Sequence, residues 1–267
     1  MKRWWNVKRF DAVEITLIAF AVAVFAYVAD VHFRPQYIYP APEVEGADLQ
    51  QKYGPARNSE HEEEWIIRDF FHDKRDGVFV DVGANDYRFL SNTFYLETAL
   101  GWSGLAIEPQ VSFEEGYRKN RPRSKFLPFF ISDVSNEEAT MYYTRDNLLV
   151  TSSDKSFVER YGKSAELKSP TITLNDLLTR EHIRTFDFLN MDIELAEPKA
   201  LKGFDVERFH PALVCIEAHP EVRQQILDYF AARHYVVVGK YLRIDSANLY
   251  FMPAGPAQSG NYRHGTP

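Results

Sequence analysis

Val78-Phe79-Val80-Asp81-Val82-Gly83-Ala84-Asn85 is the stretch on which the fold depends. An apolar, β-branched run that stops at glycine reads as a buried strand ending in a tight turn. The same pattern returns downstream. Gly104-Leu105-Ala106-Ile107 closes on Glu108-Pro109, Lys125 to Ile131 is a third run, Phe186 to Met191 a fourth that closes on Asp192-Ile193-Glu194, and Ala212 to Ile216 a fifth before Glu217-Ala218-His219. Helical patterns separate these runs: residues 91–100 with Ser91 as N-cap and Gly101 past the end, Phe113 with Tyr117, a helix capped by Thr173 to Asp176, Glu197 to Lys202 with Pro198 in its first turn, and Val222, Ile226 and Phe230 on one face. Alternating strands and helices predict an α/β fold with a doubly wound, mostly parallel, Rossmann-like sheet. Tyr235 to Val238 and Leu249 to Met252 suit a closing hairpin that adds an antiparallel strand. Pro128 cannot donate to a ladder, which places the third strand at an edge. Ala139 to Thr144 reads as an extra strand, and the polar stretch Asn147 to Pro170 as an insertion over one face.

Upstream, Ser59 to Glu62 fits a capping box, and Trp65, Ile66, Phe70 and Phe71 at helical spacing predict a helix of about 12 residues that opens the globular domain, 58–253. Residues 35–57, with Pro35, Pro40, Pro42 and Gly46, read as an extended linker without a periodic element, and 254–267 as a flexible tail. Residues 1–34 differ from the rest: Lys2, Arg3, Lys8 and Arg9 precede Ile15 to Ala29, a charge-free stretch with Trp4, Trp5 and Tyr27 available as interfacial anchors. They predict a hydrophobic membrane helix, a single-pass or interfacial anchor. Its 15 residues reach about 22 Å against roughly 30 Å of hydrocarbon. A cleaved signal peptide ending near Val24-Phe25-Ala26 and a buried soluble helix are the alternatives.

The chain has 267 residues, 45% hydrophobic and 26% charged, the balance of a globular protein with one core of normal size. Its 31 Lys and Arg against 38 Asp and Glu give a net charge of −7 without a basic run, which argues against nucleic acid as a partner. The single cysteine, Cys215, allows neither an intrachain disulfide nor a thiolate-rich metal site.

In a doubly wound sheet, ligands bind beyond the carboxyl ends of the strands. Asp81, Gly83, Ala84 and Asn85 follow the first run, and the glycine lets the backbone approach a ligand; a plain turn needing glycine is the competing reading. Glu108, at the second strand end, can accept hydrogen bonds from both hydroxyls of a ribose. Ser132-Asp133 after the third run can hold an adenine amino group or form an Asx turn. Asp192, Glu194, Glu217 and His219 then converge from the fourth and fifth strand ends. A divalent ion on Asp192, Glu217 and His219 is an alternative that the spacing does little to support, and no metal ligand is assigned. The absence of G-x-G-x-x-G disfavours a nicotinamide-dependent oxidoreductase.

Val80-Asp81-Val82-Gly83-Ala84-Asn85, Ser91-Asn92-Thr93, Gly101-Trp102-Ser103-Gly104, Ile107-Glu108-Pro109, Thr173-Leu174-Asn175-Asp176-Leu177, Met191-Asp192-Ile193-Glu194 with Glu197, and Leu201-Lys202-Gly203, in this order, resemble the FkbM-type methyltransferases. The resemblance spans roughly residues 75–253. It implies a class I methyltransferase sheet, S-adenosylmethionine (SAM) as cofactor, and O-methylation of a hydroxyl on a sugar, lipid or secondary-metabolite acceptor. On it, Gly83, Ala84 and Asn85 face the methionine part of SAM, Glu108 takes the ribose and Asp133 the adenine; Asp81, a cofactor-binding candidate on its own position, can order that loop or accept directly from a ligand ammonium. Asp192 and Glu194 stand nearest the methyl, with His219 as a further base. The sequence departs from the family at Leu195 and Ala196, where glycine is common between the two glutamates, and at Asp86-Tyr87, where a second glycine is usual. The positive N-terminus predicts a domain outside the cell, whereas SAM is kept inside; the cofactor places the catalytic domain in the cytoplasm. A catalytically silent, membrane-tethered binding domain is the rival function.

Overall fold

In the computed structural model, the described residues are 38–39, 46–144 and 150–255. Segment 15–29, read above as a membrane anchor, lies outside them. Among the described residues no helix is long and apolar enough to cross a membrane.

The chain begins with strand β1 (Ile38–Tyr39), helix α1 (Gly46–Tyr53) and helix α2 (Glu63–Phe71). Alternation then sets in with β2 (Val78–Val82), α3 (Phe94–Leu100), β3 (Ser103–Ile107), α4 (Glu114–Asn120) and β4 (Ser124–Leu127). A smaller sheet follows, built from β5 (Phe130–Ile131), β6 (Glu138–Thr144), β7 (Thr151–Ser152) and β8 (Ser164–Ile172), with helix α5 (Lys155–Val158) before β8. The main sheet resumes through α6 (Leu174–Arg180), β9 (Phe188–Met191), α7 (Glu197–Lys202), α8 (Val206–Phe209), β10 (Leu213–Glu217), α9 (Arg223–Ala231), β11 (Tyr235–Val238) and β12 (Asn248–Pro253).

The eight-stranded sheet runs in the order β1-β11-β12-β10-β9-β2-β3-β4. All neighbours are parallel except β12, which is antiparallel to β10 and β11. The chain steps from β2 through β3 to β4 in one direction and from β9 to β10 in the other, so the order reverses between β2 and β9. A crevice at such a switch point is where this architecture places ligands.

Alternation along the strands makes two cores. Val80, Val82, Leu189, Met191, Val214 and Ile216 face one side and pack with α6, α7, α8 and α9. Phe79, Phe188, Leu213 and Cys215 face the other and pack with Trp65, Ile66, Leu96, Leu100 and Trp102. Both faces are covered, which is why these strands read as continuous apolar runs. Trp102 is fully buried and its Nε1 donates to the Lys74 carbonyl at 2.6 Å, so it packs rather than stacks a ligand.

Four expectations are corrected. Segment 35–57 is not without structure: β1 pairs with β11, and α1 buries Leu49. The third run is two strands, because Pro128 ends β4 at the sheet edge and β5 starts the smaller sheet. The insertion is not irregular: β8 pairs with β6 over seven residues from Glu138↔Pro170 to Thr144↔Ser164, and its polar side chains disguised a half-solvated strand. Finally, α2 and α3 start at Glu63 and Phe94, later than their caps suggested. Ser59 still accepts from the Glu64 N–H at 3.1 Å, and Ser91 from the Thr93 N–H at 3.4 Å, so both residues organise the approach to a helix rather than its first turn.

Candidate active site

The carboxyl ends of β2, β3, β9 and β10 surround a cavity of about 330 Å³, a size suited to small molecules. Gly83 makes its geometry possible. It sits at φ +84°, and a Cβ there would lie 1.8 Å from the Asp192 carbonyl oxygen, so only glycine lets the turn after β2 close against the end of β9. Gly83 and Ala84 donate their N–H groups to the Ile107 carbonyl at 3.0 and 3.1 Å, and the buried Tyr117 hydroxyl donates to the Ala84 carbonyl at 2.9 Å. Asn85 follows in the left-handed region at φ 48°.

Asp81 lines the cavity but both its oxygens are engaged. Thr93 Oγ1 donates to Oδ2 at 2.7 Å and Asn190 Nδ2 to Oδ1 at 2.9 Å. Burial pushes its pKa up, while these two donors and the Arg121 charge oppose the shift. Arg121 is itself fully buried; it pairs with Glu97 at 2.6 Å and donates to Thr93, so a fixed network stands behind Asp81. Glu108 is 3% exposed. Its carboxylate accepts from the Gln110 N–H at 2.9 Å and from the Asn85 N–H. Burial outweighs these donors and raises its pKa to about 7.

Asp133 is elsewhere. It is absent from the cavity wall, its carboxylate accepts from Ser132 Oγ at 3.1 Å, and Lys199 Nζ lies 3.8 Å away.

Asp192, Glu194 and His219 all line the cavity, together with Glu217. Asp192 and Glu194 reach it through a turn, not through strand alternation: β9 ends at Met191, and Glu194 and Leu195 are both left-handed, at φ 55° and 76°. Ile193 packs in the core and still borders the cavity. His219 Nε2 lies 3.0 Å from Glu217 Oε1 and 3.4 Å from Glu194 Oε2. The carboxyl groups of Asp192 and Glu217 share a hydrogen bond, which requires a proton on one of them. Burial and the surrounding carboxylates put it on Glu217, whose pKa is pushed up to about 11. Asp192 is set deep in the protein yet open to the cavity, so water reaching it through the mouth tempers the upward push of its surroundings. Glu194 rises to about 8 through burial and the Asp192 charge, and burial lowers the His219 pKa, leaving its ring neutral. Glu194, Glu217 and His219 can present one ligand atom each to a common point, a grouping that differs from the Asp192, Glu217 and His219 alternative weighed above.

Several contributors escaped the sequence reading. Glu60 and His61 reach the cavity from ahead of α2, Asn190 from inside β9, and Thr151 and Tyr161 from the insertion. Asn190 had a usable signal, a lone amide inside an apolar run. The others lie on segments with no strand end to mark them.

A profile of the Methyltransferase FkbM domain matches residues 81–237. The chain belongs to the FkbM methyltransferase family. The match begins at Asp81 and encloses Glu108, Asp192, Glu194 and His219, in line with the resemblance drawn from the motifs. No curated protein gives a significant match. Among solved structures, the chain is 13% identical to an O-methyltransferase from Bacillus cereus in complex with SAH, with 86% of this chain and 94% of that one covered and a TM-score of 0.38. It is 14% identical to a candidate RNA methyltransferase from Pyrococcus horikoshii, with 73% and 82% covered and a TM-score of 0.37. Leu195, one of the two residues between Glu194 and Glu197, has a left-handed φ of 76°, the conformation that favours glycine. Here leucine is held there by packing against Val150, Phe157 and Val158 of the insertion, while Ser152 Oγ donates to the Glu194 carbonyl at 2.5 Å.

Proposed function

We propose that this methyltransferase uses SAM and methylates a hydroxyl of a small sugar, lipid or secondary-metabolite acceptor. The single observation that carries the reading is Glu108: a buried carboxylate at a strand end, fixed by two main-chain N–H groups, beside a glycine turn and open to a cavity of about 330 Å³. That donor set fits a ribose, whose two hydroxyls find the carboxylate lone pairs left free. Gly83, Ala84 and Asn85 border the same space and would lie along the methionine part. Asp81, with both oxygens engaged, serves by holding Thr93 and Asn190. The reading gives Asp133 no adenine contact, because Asp133 faces Lys199 outside the cavity.

Bound SAM would supply an electrophilic methyl group. The chain's own task is to bring an acceptor hydroxyl in line with that methyl and to take its proton. Asp192 is the group for this: it opens on the cavity and is the most acidic member of the cluster, so it is the member ionised at neutral pH. Protonated Glu217 donates to it and fixes its orientation. With an acceptor hydroxyl aligned on that methyl group, Asp192 would take the hydroxyl proton as the methyl is transferred. Glu194 and neutral His219 line the path and can relay that proton onward.

Mass spectrometry tests this directly: purified full-length chain with SAM and a small-molecule extract should convert SAM to its demethylated thioether and yield a methylated hydroxyl compound. SAM left unconsumed across extracts of several sources would contradict it.

A further inference from the structure

Among the described residues four large apolar side chains are exposed, and two of them, Phe89 at 62% and Tyr161 at 52%, border the one cavity from segments far apart in the chain. Scattered apolar residues on a surface need no explanation, whereas two that share a cavity mark a binding surface. Both are held in place. Asp86 Oδ1 accepts from the Arg88 and Phe89 N–H groups at 2.9 and 2.7 Å, Leu90 is left-handed at φ 59° and pairs with Ser59, and the Arg88 guanidinium lies over the Phe94 ring. Phe89 thus stands out from a fixed turn, and the Leu90–Ser59 bridge sets that turn beside Glu60. Tyr161 donates its N–H to the Val158 carbonyl at 3.0 Å and rests on Phe157, whose ring meets His219 edge-on, with centroids 5.4 Å apart in each pair. Burial raises the pKa of the Tyr161 hydroxyl, and Glu194, Glu217 and Glu60 add to this when ionised, while Glu60 acts on Asp192 and Glu194 as well. Tyr161 and the Glu60 segment therefore stand at the β9–β10 side of the cavity, near Asp192. Glu108 ends β3, on the far side of β2, so with the cofactor there the β9–β10 side is left for the acceptor.

We propose that the acceptor is a hydroxylated aryl compound whose flat apolar ring lies against Phe89 and Tyr161 while its hydroxyl reaches Asp192, and that these two side chains determine which acceptors are taken. The proposal rests on the methyltransferase reading above and narrows its acceptor class. An aryl body covers both exposed rings and pairs with each, a gain beyond the area it buries. A free sugar would set hydroxyls against Phe89, which has no polar atom to receive them. An acyl chain needs a continuous apolar channel, and here Glu60, His61, Asn92 and Glu194 interrupt the wall. Phe89 and Tyr161 act by seating the acceptor, so their loss shows in KM and leaves SAM binding as it was.

The test uses the purified full-length chain, methyl-tritiated SAM and a small-molecule extract divided on a reversed-phase column into retained and unretained pools. Label should enter product from the retained pool about tenfold or more above the unretained one, and the labelled product should show the near-ultraviolet absorption of an aromatic ring. With that pool as acceptor, Phe89→Ala and Tyr161→Ala should each raise KM about tenfold, the scale of one lost ring contact, with kcat lowered far less. Tyr161→Phe should keep the parent KM, since the ring and not the hydroxyl makes the contact. Calorimetry should give each variant the SAM affinity of the parent, as both positions are exposed and their truncation leaves the fold intact. Label drawn mainly from the unretained pool, a product without aromatic absorption, an unchanged KM in either alanine variant, or Tyr161→Phe as impaired as Tyr161→Ala overturns the proposal. SAM bound without any product from the retained pool sinks this proposal alone, whereas no binding of SAM sinks the methyltransferase reading beneath it.

Discussion

Two carboxyl groups at neighbouring strand ends divide the work between binding and chemistry, and their surroundings set the division. Glu108 is closed in and held by main-chain N–H groups, whereas Asp192 opens on the cavity and takes a hydrogen bond from Glu217. Asp192→Asn should therefore keep SAM binding and lower turnover roughly a hundredfold or more, the scale of general-base loss; steady-state kinetics on the labelled acceptor measures it, and near-normal turnover would move the base elsewhere. Asp81→Ala should act differently from a ligand contact. It strips Thr93 and Asn190 of their common acceptor and leaves the neighbouring Arg121 less well balanced, so stability should fall by about 1–3 kcal/mol in chemical denaturation along with SAM affinity. Intact stability with weakened affinity would restore Asp81 to direct contact. At this scale the strand-end residues were legible, because an acid just past an apolar run has few structural uses. Asp133 was not: its position after the third run was right for a ligand, but only the fold shows that Pro128 diverts the chain there and that Lys199 answers its charge.

The turn Glu194-Leu195 and the insertion that covers it form one element in function. Two consecutive left-handed, non-glycine residues are strained by about 1–2 kcal/mol each, and they persist because Leu195 packs on Phe157 and Val158 and because Ser152 holds the Glu194 carbonyl. Leu195→Gly should relieve the strain and lose the packing in similar measure, so the unfolding free energy should change by less than about 1 kcal/mol. Turnover should nonetheless fall, because without the Leu195 side chain the turn that carries Glu194 is tied to the insertion by the Ser152 hydrogen bond but no longer by packing. Denaturation curves paired with kinetics decide it, and a loss of stability well beyond that range would mean that the left-handed backbone is not under strain. The sequence showed Leu195 and Ala196 between the two glutamates, but not what holds Leu195, since the contact joins residues some 40 positions apart. The main strands and most helices could be read from periodicity. Strand β8 could not, because polar residues on a half-solvated sheet carry no apolar rhythm, nor could α1, whose single buried residue, Leu49, finds its place only once the sheet exists.

For the whole molecule, the buried acids predict how stability varies with pH. Glu63, Glu108 and Glu197 are raised to about 7 and Glu194 to about 8, each chiefly by burial, so the folded chain binds these protons more tightly than the unfolded one. A carboxyl shifted upward is favourable to folding below its ordinary pKa near 4.5 and loses that contribution as pH rises to its folded value. Stability should thus fall between about pH 4.5 and 8. Asp69 works the other way: hydrogen bonds from Lys240, Lys52 and Tyr241 hold it at about 2 against its partial burial, so its contribution disappears only in stronger acid. Thermal denaturation at pH 5 and pH 8.5 should give the higher midpoint at pH 5, with the net charge of −7 adding self-repulsion on the alkaline side. A higher midpoint at pH 8.5 would show that these acids are better solvated than their depth implies.

The central claim is that the cavity at the switch point of the sheet holds SAM through Glu108, and isothermal titration of SAM into the full-length chain and its Glu108→Ala variant measures it. We expect micromolar binding to the parent protein, with the variant folded and at least about tenfold weaker, because a charge-assisted contact to both ribose hydroxyls is gone. Equal affinities for the two proteins, or no heat of binding from either, would contradict the account.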